Sequence, residues 1–243
     1  MAPTLLITRP QPGSAEFANA ARAVLGKGAV IEQSSVMKIV AQGDMPDLRD
    51  IRALILTSRQ GVAQFIARSN RRDLPVYAVG DGTAQAARAA GLKAVSAQGD
   101  AADLVARVLE DGTWGPMIHL RGAYAAGDVA GALQTAGVDA REAVIYAQQS
   151  VPLSKMAINL LNGEKPVVLP LFSPRSSKLL FEQVMPRAPL VVLAISKAVA
   201  QTVPTGLSAQ VRVVTRPDAD AMLDALPDVW EQANRLEGDR AAQ

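Results

Sequence analysis

Apolar positions follow two alternating rhythms along the chain. Short, continuous runs of β-branched and aliphatic residues predict buried strands at Leu5–Thr8, Ala53–Thr57, Val76–Val79, Met117–Leu120, Val167–Phe172, Val191–Ile195 and Val211–Thr215. Between most of them, apolar residues recur three and four apart and predict amphipathic helices. Phe17, Ala21, Val24 and Leu25 do so within Ser14–Leu25, Val62, Phe65 and Ile66 within Gly61–Ala67, and Leu104, Val105, Val108 and Leu109 within Ala101–Leu109. Ser14, Asp100, Asp128 and Ser154 stand where helices begin, as N-cap types do. Gly91, Gly137 and Gly163 follow helical runs and suit left-handed C′ positions. Asp44, Asp47 and Asp50 predict a surface loop and a helix start, and the polar stretch Ala233–Gln243 predicts a frayed tail. Strands that are apolar throughout, alternating with helices, predict parallel sheet covered on both faces.

Two segments break the rhythm. Ala29–Val40 and Glu142–Leu153 are long and extended, with no helix interposed. Both read as connectors between two α/β lobes, paired as a two-stranded linker. Residues 1–36 and 148–243 then form a discontinuous first lobe, and residues 37–147 an inserted second lobe. A single long doubly wound sheet is the competing arrangement. A weak internal repeat favours two lobes. Leu54–Arg59 followed by a helix with Phe65 resembles Leu169–Arg175 followed by a helix with Phe181. In both, the next strand follows at nearly the same spacing and ends at Gly80 or Ser196.

Composition narrows the chemistry. The 243 residues are 49% apolar and 20% charged, as in a core-forming chain. Cysteine is absent, which removes disulfides, thiolate nucleophiles and cysteine-held metals. One histidine excludes a multi-histidine metal site. Lys and Arg number 25 against 23 Asp and Glu, a balance that argues against nucleic acid as a partner. Aromatic residues are 4%, too sparse for a base-stacking platform. The charge-free window Ala198–Val211 holds Gln201, Pro204, Gly206 and Gln210, so no membrane span is expected. Met1–Ile7 lacks a basic n-region and Arg9 interrupts its apolar run, so a cytoplasmic protein is expected.

In open parallel sheets ligands bind beyond the carboxyl ends of the strands. Those ends read Thr8-Arg9-Pro10, Thr57-Ser58-Arg59, Gly80-Asp81-Gly82-Thr83, Arg121-Gly122, Ser173-Pro174-Arg175-Ser176, Ser196-Lys197 and Thr215-Arg216-Pro217. Hydroxyls, cations and glycines recur, and helix N-termini add free N–H groups. The set describes a donor-rich rim suited to a ligand with several carboxylates or phosphates. Taken singly, each Ser or Thr is also an ordinary N-cap and each Arg an ordinary solvated residue. Gly80-Asp81-Gly82 lacks the third glycine of a dinucleotide fingerprint, with Gln85 in its place, and Gly26-Lys27-Gly28 is no phosphate loop. Ser35-Val36-Met37-Lys38 matches the Ser-x-x-Lys string but lies in an extended connector. His119, within Met117–Leu120, reads as a packed core or edge residue ahead of a catalytic base. Asp81 is the best-placed carboxylate but has no partner. Tyr146, at the return crossing, either projects toward the gap between lobes or packs at an interface.

Taken in order, Leu6–Pro10, Leu56–Val62 with Phe65, Val79–Ala84, Leu120–Gly122, Val144–Tyr146, Phe172–Ser176 and Ala194–Ser196 resemble the uroporphyrinogen-III synthase family along nearly the whole chain. The resemblance implies two parallel-sheet α/β lobes on a two-stranded linker, the first lobe discontinuous. It implies cyclisation of the linear tetrapyrrole hydroxymethylbilane to uroporphyrinogen III, with inversion of the last ring and loss of water. No cofactor or metal is implied, and a monomer is expected. Tyr146 matches the family's tyrosine, a proton donor to the departing hydroxyl. Thr83 matches its threonine after Val-Gly, and Ser58 and Ser173 match its strand-end hydroxyls. Arg9, Thr57, Arg121, Arg175 and Ser196 complete the candidate contacts to the substrate's carboxylate arms. The turn Ile195–Ala200 departs from the family's glycine and threonines, leaving Ser196 as its hydroxyl and Lys197 as a further cation. A non-catalytic two-lobe binding or regulatory protein for a polyanion is the alternative, and an enzyme acting on sugar or nucleotide phosphates is another.

Overall fold

Six of the seven continuous apolar runs become interior strands of two separate sheets; the seventh, Val211–Thr215, instead supplies an edge strand at Ala209–Val213 that is mostly exposed, because no further strand covers that side. The protein is described by a computed structural model covering residues 2–112, 115–124 and 127–241. Its contacts divide it into two units, Met1–Lys38 with Gln149–Gln243, and Ile39–Gln148. The fold is α/β with two largely parallel sheets, and the first sheet combines strands from both ends of the chain.

The first unit contains β1 (Thr4–Ile7), α1 (Gly13–Leu25), β2 (Val30–Gln33), α6 (Lys155–Asn162), β9 (Val167–Leu171), α7 (Pro174–Gln183), β10 (Leu190–Ala194), α8 (Lys197–Ala200), β11 (Ala209–Val213), α9 (Ala219–Asp224) and α10 (Leu226–Ala241). Its strands are ordered β11-β10-β9-β1-β2, all parallel. Side chains alternate across the sheet. Leu6, Leu169 and Val192 join Leu161 and Leu180 on one face, whereas Leu5, Ile7 and Val191 join Phe17, Met222 and Val229 on the other.

The second unit contains β3 (Met37–Ala41), β4 (Ala53–Leu56), α2 (Arg59–Arg68), β5 (Val76–Ala78), α3 (Asp81–Ala89), β6 (Ala94–Ser96), α4 (Ala101–Glu110), β7 (Met117–Gly122), α5 (Val129–Thr135) and β8 (Ala140–Ser150), of which β3 and β8 straddle the boundary. The order is β3-β8-β7-β4-β5-β6, with β4 to β8 parallel. Gln42 N–H donates to Ile145 and Val151 N–H to Val36, so β3 runs antiparallel to β8. Phe65, fully buried, anchors the face that also holds Leu54, Leu56, Ile118 and Leu120.

The two sheets share one plan. If β9, β10, β11, β1 and β2 are matched to β4, β5, β6, β7 and β8, the two strand orders become the same, with β3 an added edge strand in the second sheet. Ser173 then matches Ser58, and each caps its helix by accepting an N–H, from Ser176 and Gly61 respectively. The first unit is thus the same sheet threaded from a different starting strand.

Several local expectations change. Asp100, Asp128 and Ser154 are N-caps, and Asp100 closes a capping box with Asp103. Ser14 instead lies inside α1, fully buried, its hydroxyl donating to Gln33, because the helix starts one residue earlier after Pro12. Gly91 and Gly137 are left-handed, but Gly163 has φ −81°, since α6 ends in extended backbone. No helix starts at residues 44–50; Leu48 and Ile51 pin this loop to the core instead. Ala29–Val40 is two strands in two sheets, not one connector. The tail is helical to Ala241 because Ala233 and its neighbours pack on the first sheet. Among the described residues no helix is long and apolar enough to cross a membrane.

Phe65→Ala is expected to cost about 3–5 kcal/mol of stability in urea unfolding, a cavity in a closed core. Asp100→Ala is expected to cost about 1 kcal/mol by loss of the cap.

Candidate active site

Parallel strands deliver α2, α3, α4 and α5 to one edge of the second sheet, each starting just beyond the carboxyl end of β4, β5, β6 or β7. Strand order reverses between β4 and β7, because the chain builds β4-β5-β6 outward and then returns to the other side. Such a reversal leaves a crevice where neither loop crosses the other, and ligands bind there in open α/β sheets. A cavity of about 640 Å³ lies there, lined by Thr57, Ser58, Val79, Asp100, Gly122, Tyr124, Tyr146 and Gln148 among others.

Tyr146 reaches it through an irregularity in β8. Arg121 pairs with Val144, but Gly122 pairs with Tyr146, so Ile145 is skipped and the ring is re-aimed. The ring lies against Gly122; a Cβ there would stand 2.6 Å from ring carbons. The residue is 3% exposed, and its hydroxyl is 2.8 Å from Ser58 Oγ. Burial raises the phenol pKa above its ordinary value, outweighing the hydrogen bonds from Ser58 and the Gly122 backbone. The phenol therefore carries its proton at neutral pH and holds it more tightly than a free phenol does. Ser58 Oγ also accepts Gly61 N–H at 3.0 Å, which holds the hydroxyl in place at the start of α2.

Beside this pair, Thr57 Oγ1 lies 3.1 Å from Nε2 of His119. His119 is fully buried, as a packed β7 residue is expected to be. Burial lowers its pKa to about 4; Arg121 pushes the same way, and Glu142 and Asp128 weakly oppose. It is thus neutral at pH 7.

The other sequence-nominated groups are placed differently. Thr83 sits in the first turn of α3, 8% exposed, its N–H on Gly80. Arg121 makes a two-pronged pair with Glu142, at 2.6 and 2.8 Å, which fixes the guanidinium on its own sheet. In the first unit, Ser173 caps α7 and bonds Ser176, Ser196 caps α8, Arg175 lies in the first turn of α7, and Lys197 is exposed. Arg9 lies over the Phe172 ring, 4.1 Å from its centroid. By register Arg9 occupies the place that Arg121 occupies in the second unit, since Leu5 pairs with Val168 as Met117 pairs with Ala53. Tyr146, Ser58 and Thr57 are thus brought to one cavity. His119's link to Thr57, and the cavity positions of Tyr124 and Gln148, escaped the sequence. A polar residue inside an otherwise apolar strand is the one signal that marks His119.

Gly122→Ala is expected to lose about 1–3 kcal/mol in urea unfolding, because the Tyr146 ring must move. Gly82→Ala, where a Cβ meets nothing within 4 Å, is expected to be neutral or slightly stabilising. The unfolded chain takes up a proton on His119 near pH 6.5, whereas the native protein resists until about pH 4. Stability therefore falls as pH drops through that window. Between pH 7.5 and 4.5 the native sequence is expected to lose about 2–3 kcal/mol more than His119→Gln does, by urea unfolding at each pH.

Known proteins share this fold. The fold is similar to that of uroporphyrinogen-III synthetase from Helicobacter pylori 26695, with a TM-score of 0.66 at 14% identity over 94% of this chain and 100% of that one. A mutant uroporphyrinogen III synthase from the extremely thermophilic bacterium Thermus thermophilus gives a TM-score of 0.55 at 14% identity, over 94% and 99% of the two chains. No curated protein matches the sequence. The family model for uroporphyrinogen-III synthase HemD matches residues 19–224. With most of its length inside that match and the same fold around it, this chain belongs to the uroporphyrinogen-III synthase family.

Proposed function

We propose that this synthase takes hydroxymethylbilane as its substrate and that Tyr146 delivers the proton that expels its hydroxyl. The observation that carries this reading is the Tyr146–Ser58 hydrogen bond on the wall of the cavity at the strand-order reversal. With Ser58 donating to the phenol oxygen, the phenol proton is left for the cavity. It protonates the terminal hydroxyl as the C–O bond breaks, with electrons supplied by the pyrrole nitrogen, and water leaves. The resulting azafulvene is attacked by the substituted carbon of the last ring, giving a spiro intermediate. That intermediate opens and recloses at the ring's free carbon, and the proton lost from that carbon restores the Tyr146 phenol. The sum is one bilane in, one uroporphyrinogen III and one water out.

Binding supports the same reading. Donors, not acceptors, suit a substrate with acetate and propionate arms on four rings. Thr57 and the N–H groups at the start of α3, where Gly80 brings no side-chain cap, offer them in the second unit, while the Ser58 proton stays on the phenol oxygen. Thr83 and Arg121 stand on the same sheet edge, and Arg9, Ser173, Arg175 and Ser196 are proposed as the donors of the first unit. The protein's main task is to hold the chain folded so that closure at the crowded carbon outruns simple head-to-tail closure.

Purified protein incubated with freshly made hydroxymethylbilane is expected to yield isomer III after oxidation and chromatographic separation. Isomer I alone, as without protein, would refute the assignment. Tyr146→Phe is expected to slow isomer III formation at least tenfold, about 1.4 kcal/mol of barrier. An unchanged rate would remove Tyr146 from the proton step.

A further inference from the structure

We propose that His119 is a positioning residue: its Nε2–H donates to Thr57 Oγ1 and leaves the Thr57 hydroxyl proton to face the cavity, as a donor to a substrate carboxylate. The inference rests on the site assignment above and deepens it. Thr57 lines the cavity beside Ser58 and Tyr146, and its oxygen is 3.1 Å from the imidazole. The ring itself is sealed from solvent, and its other nitrogen, Nδ1, has no hydrogen-bond partner among the described residues. A neutral imidazole carries one proton on one of the two nitrogens. Placed on Nδ1, that proton would be a buried donor with nothing to bond, the rarer kind of orphan in folded proteins. Placed on Nε2, it meets Thr57. The threonine oxygen then accepts from histidine, and its own proton must go elsewhere. The cavity is the side left open to it.

The first unit supplies an internal control. By the matched register, Ile7 stands where His119 stands and Phe172 where Thr57 stands. Ile7 and Phe172 belong to one apolar cluster there. The shared sheet plan is therefore met with two apolar side chains at this place, and a histidine–threonine pair is no requirement of the fold. Burying a polar ring with an unsatisfied nitrogen costs stability. Orienting Thr57 is what the second unit gains for it.

The chain has one histidine, so histidine labelled with ¹⁵N reports on this ring alone. Two-bond ¹H–¹⁵N correlation spectra of the intact protein at pH 7.5, without substrate, are expected to place the proton on Nε2. A proton on Nδ1 would overturn the proposal. In the isomer assay, His119→Leu is expected to raise KM for hydroxymethylbilane about fivefold, the weight of one hydrogen bond, with kcat changed less than about twofold. His119→Gln, which returns an N–H at similar reach, is expected to restore KM to within about twofold. Thr57→Val leaves nothing to orient, so adding His119→Leu to it is expected to change KM no further. Losses that multiply in the double variant, or no rescue by Gln in a protein that unfolds normally, would also overturn it. A native protein that forms no isomer III refutes the site assignment instead, and the spectra still decide the tautomer.

Discussion

The reversal of strand order between β4 and β7 is the constraint on which the rest of the second unit depends. A parallel sheet must send every connection over its faces, so each strand ends at the same edge and each helix begins there. Where the chain turns back on its own order, no connection covers the gap. Backbone geometry thus creates a crevice before any side chain is chosen. The side chains then decide its use: Ser58 begins a helix with a hydroxyl already anchored, Thr57 sits one residue earlier, and the irregularity in β8 swings Tyr146 across to meet them. Gly122 leaves the ring the room it needs, since even a methyl group would collide with it.

What the sequence made legible was the local part. Continuous apolar runs give parallel strands because both faces of each sheet are covered. Asp100, Asp128 and Ser154 declare helix starts because their side chains compete for the same free N–H groups in any context. Ser58 and Tyr146 each stand out in the sequence, yet their hydrogen bond joins residues far apart in the chain and depends on a one-residue slip in strand pairing. No periodicity encodes such a slip. His119 read correctly as a packed residue, but its partner Thr57 lies on another strand and is fixed by register alone. Ser14 and Gly163 misled for a related reason. The local chemistry favoured a cap in each case, and tertiary contacts with Gln33 and the extended exit of α6 won.

Arg121 and Arg9 show how the same sheet plan takes different chemistry. They occupy matched places, yet one is clamped by Glu142 and the other rests on the Phe172 ring. Each guanidinium is oriented by a neighbour on its own unit, a preorganised cation and not a free-swinging one. The pairing is partly solvent-exposed in the Arg121 case, so its worth lies in orientation more than in stability.

The split of the first unit has a consequence for how the chain is born. As the polypeptide leaves the ribosome, β1, α1 and β2 emerge ahead of the second unit, but β9, which pairs with the other side of β1, is synthesised more than a hundred residues later. The intervening stretch carries its own sheet and core clusters, and domains generally fold as units during translation. Meanwhile Leu5, Ile7 and Phe17 wait with their apolar faces uncovered. The interval of greatest exposure to aggregation therefore belongs to the amino-terminal strand pair, and not to the part of the molecule that carries the cavity.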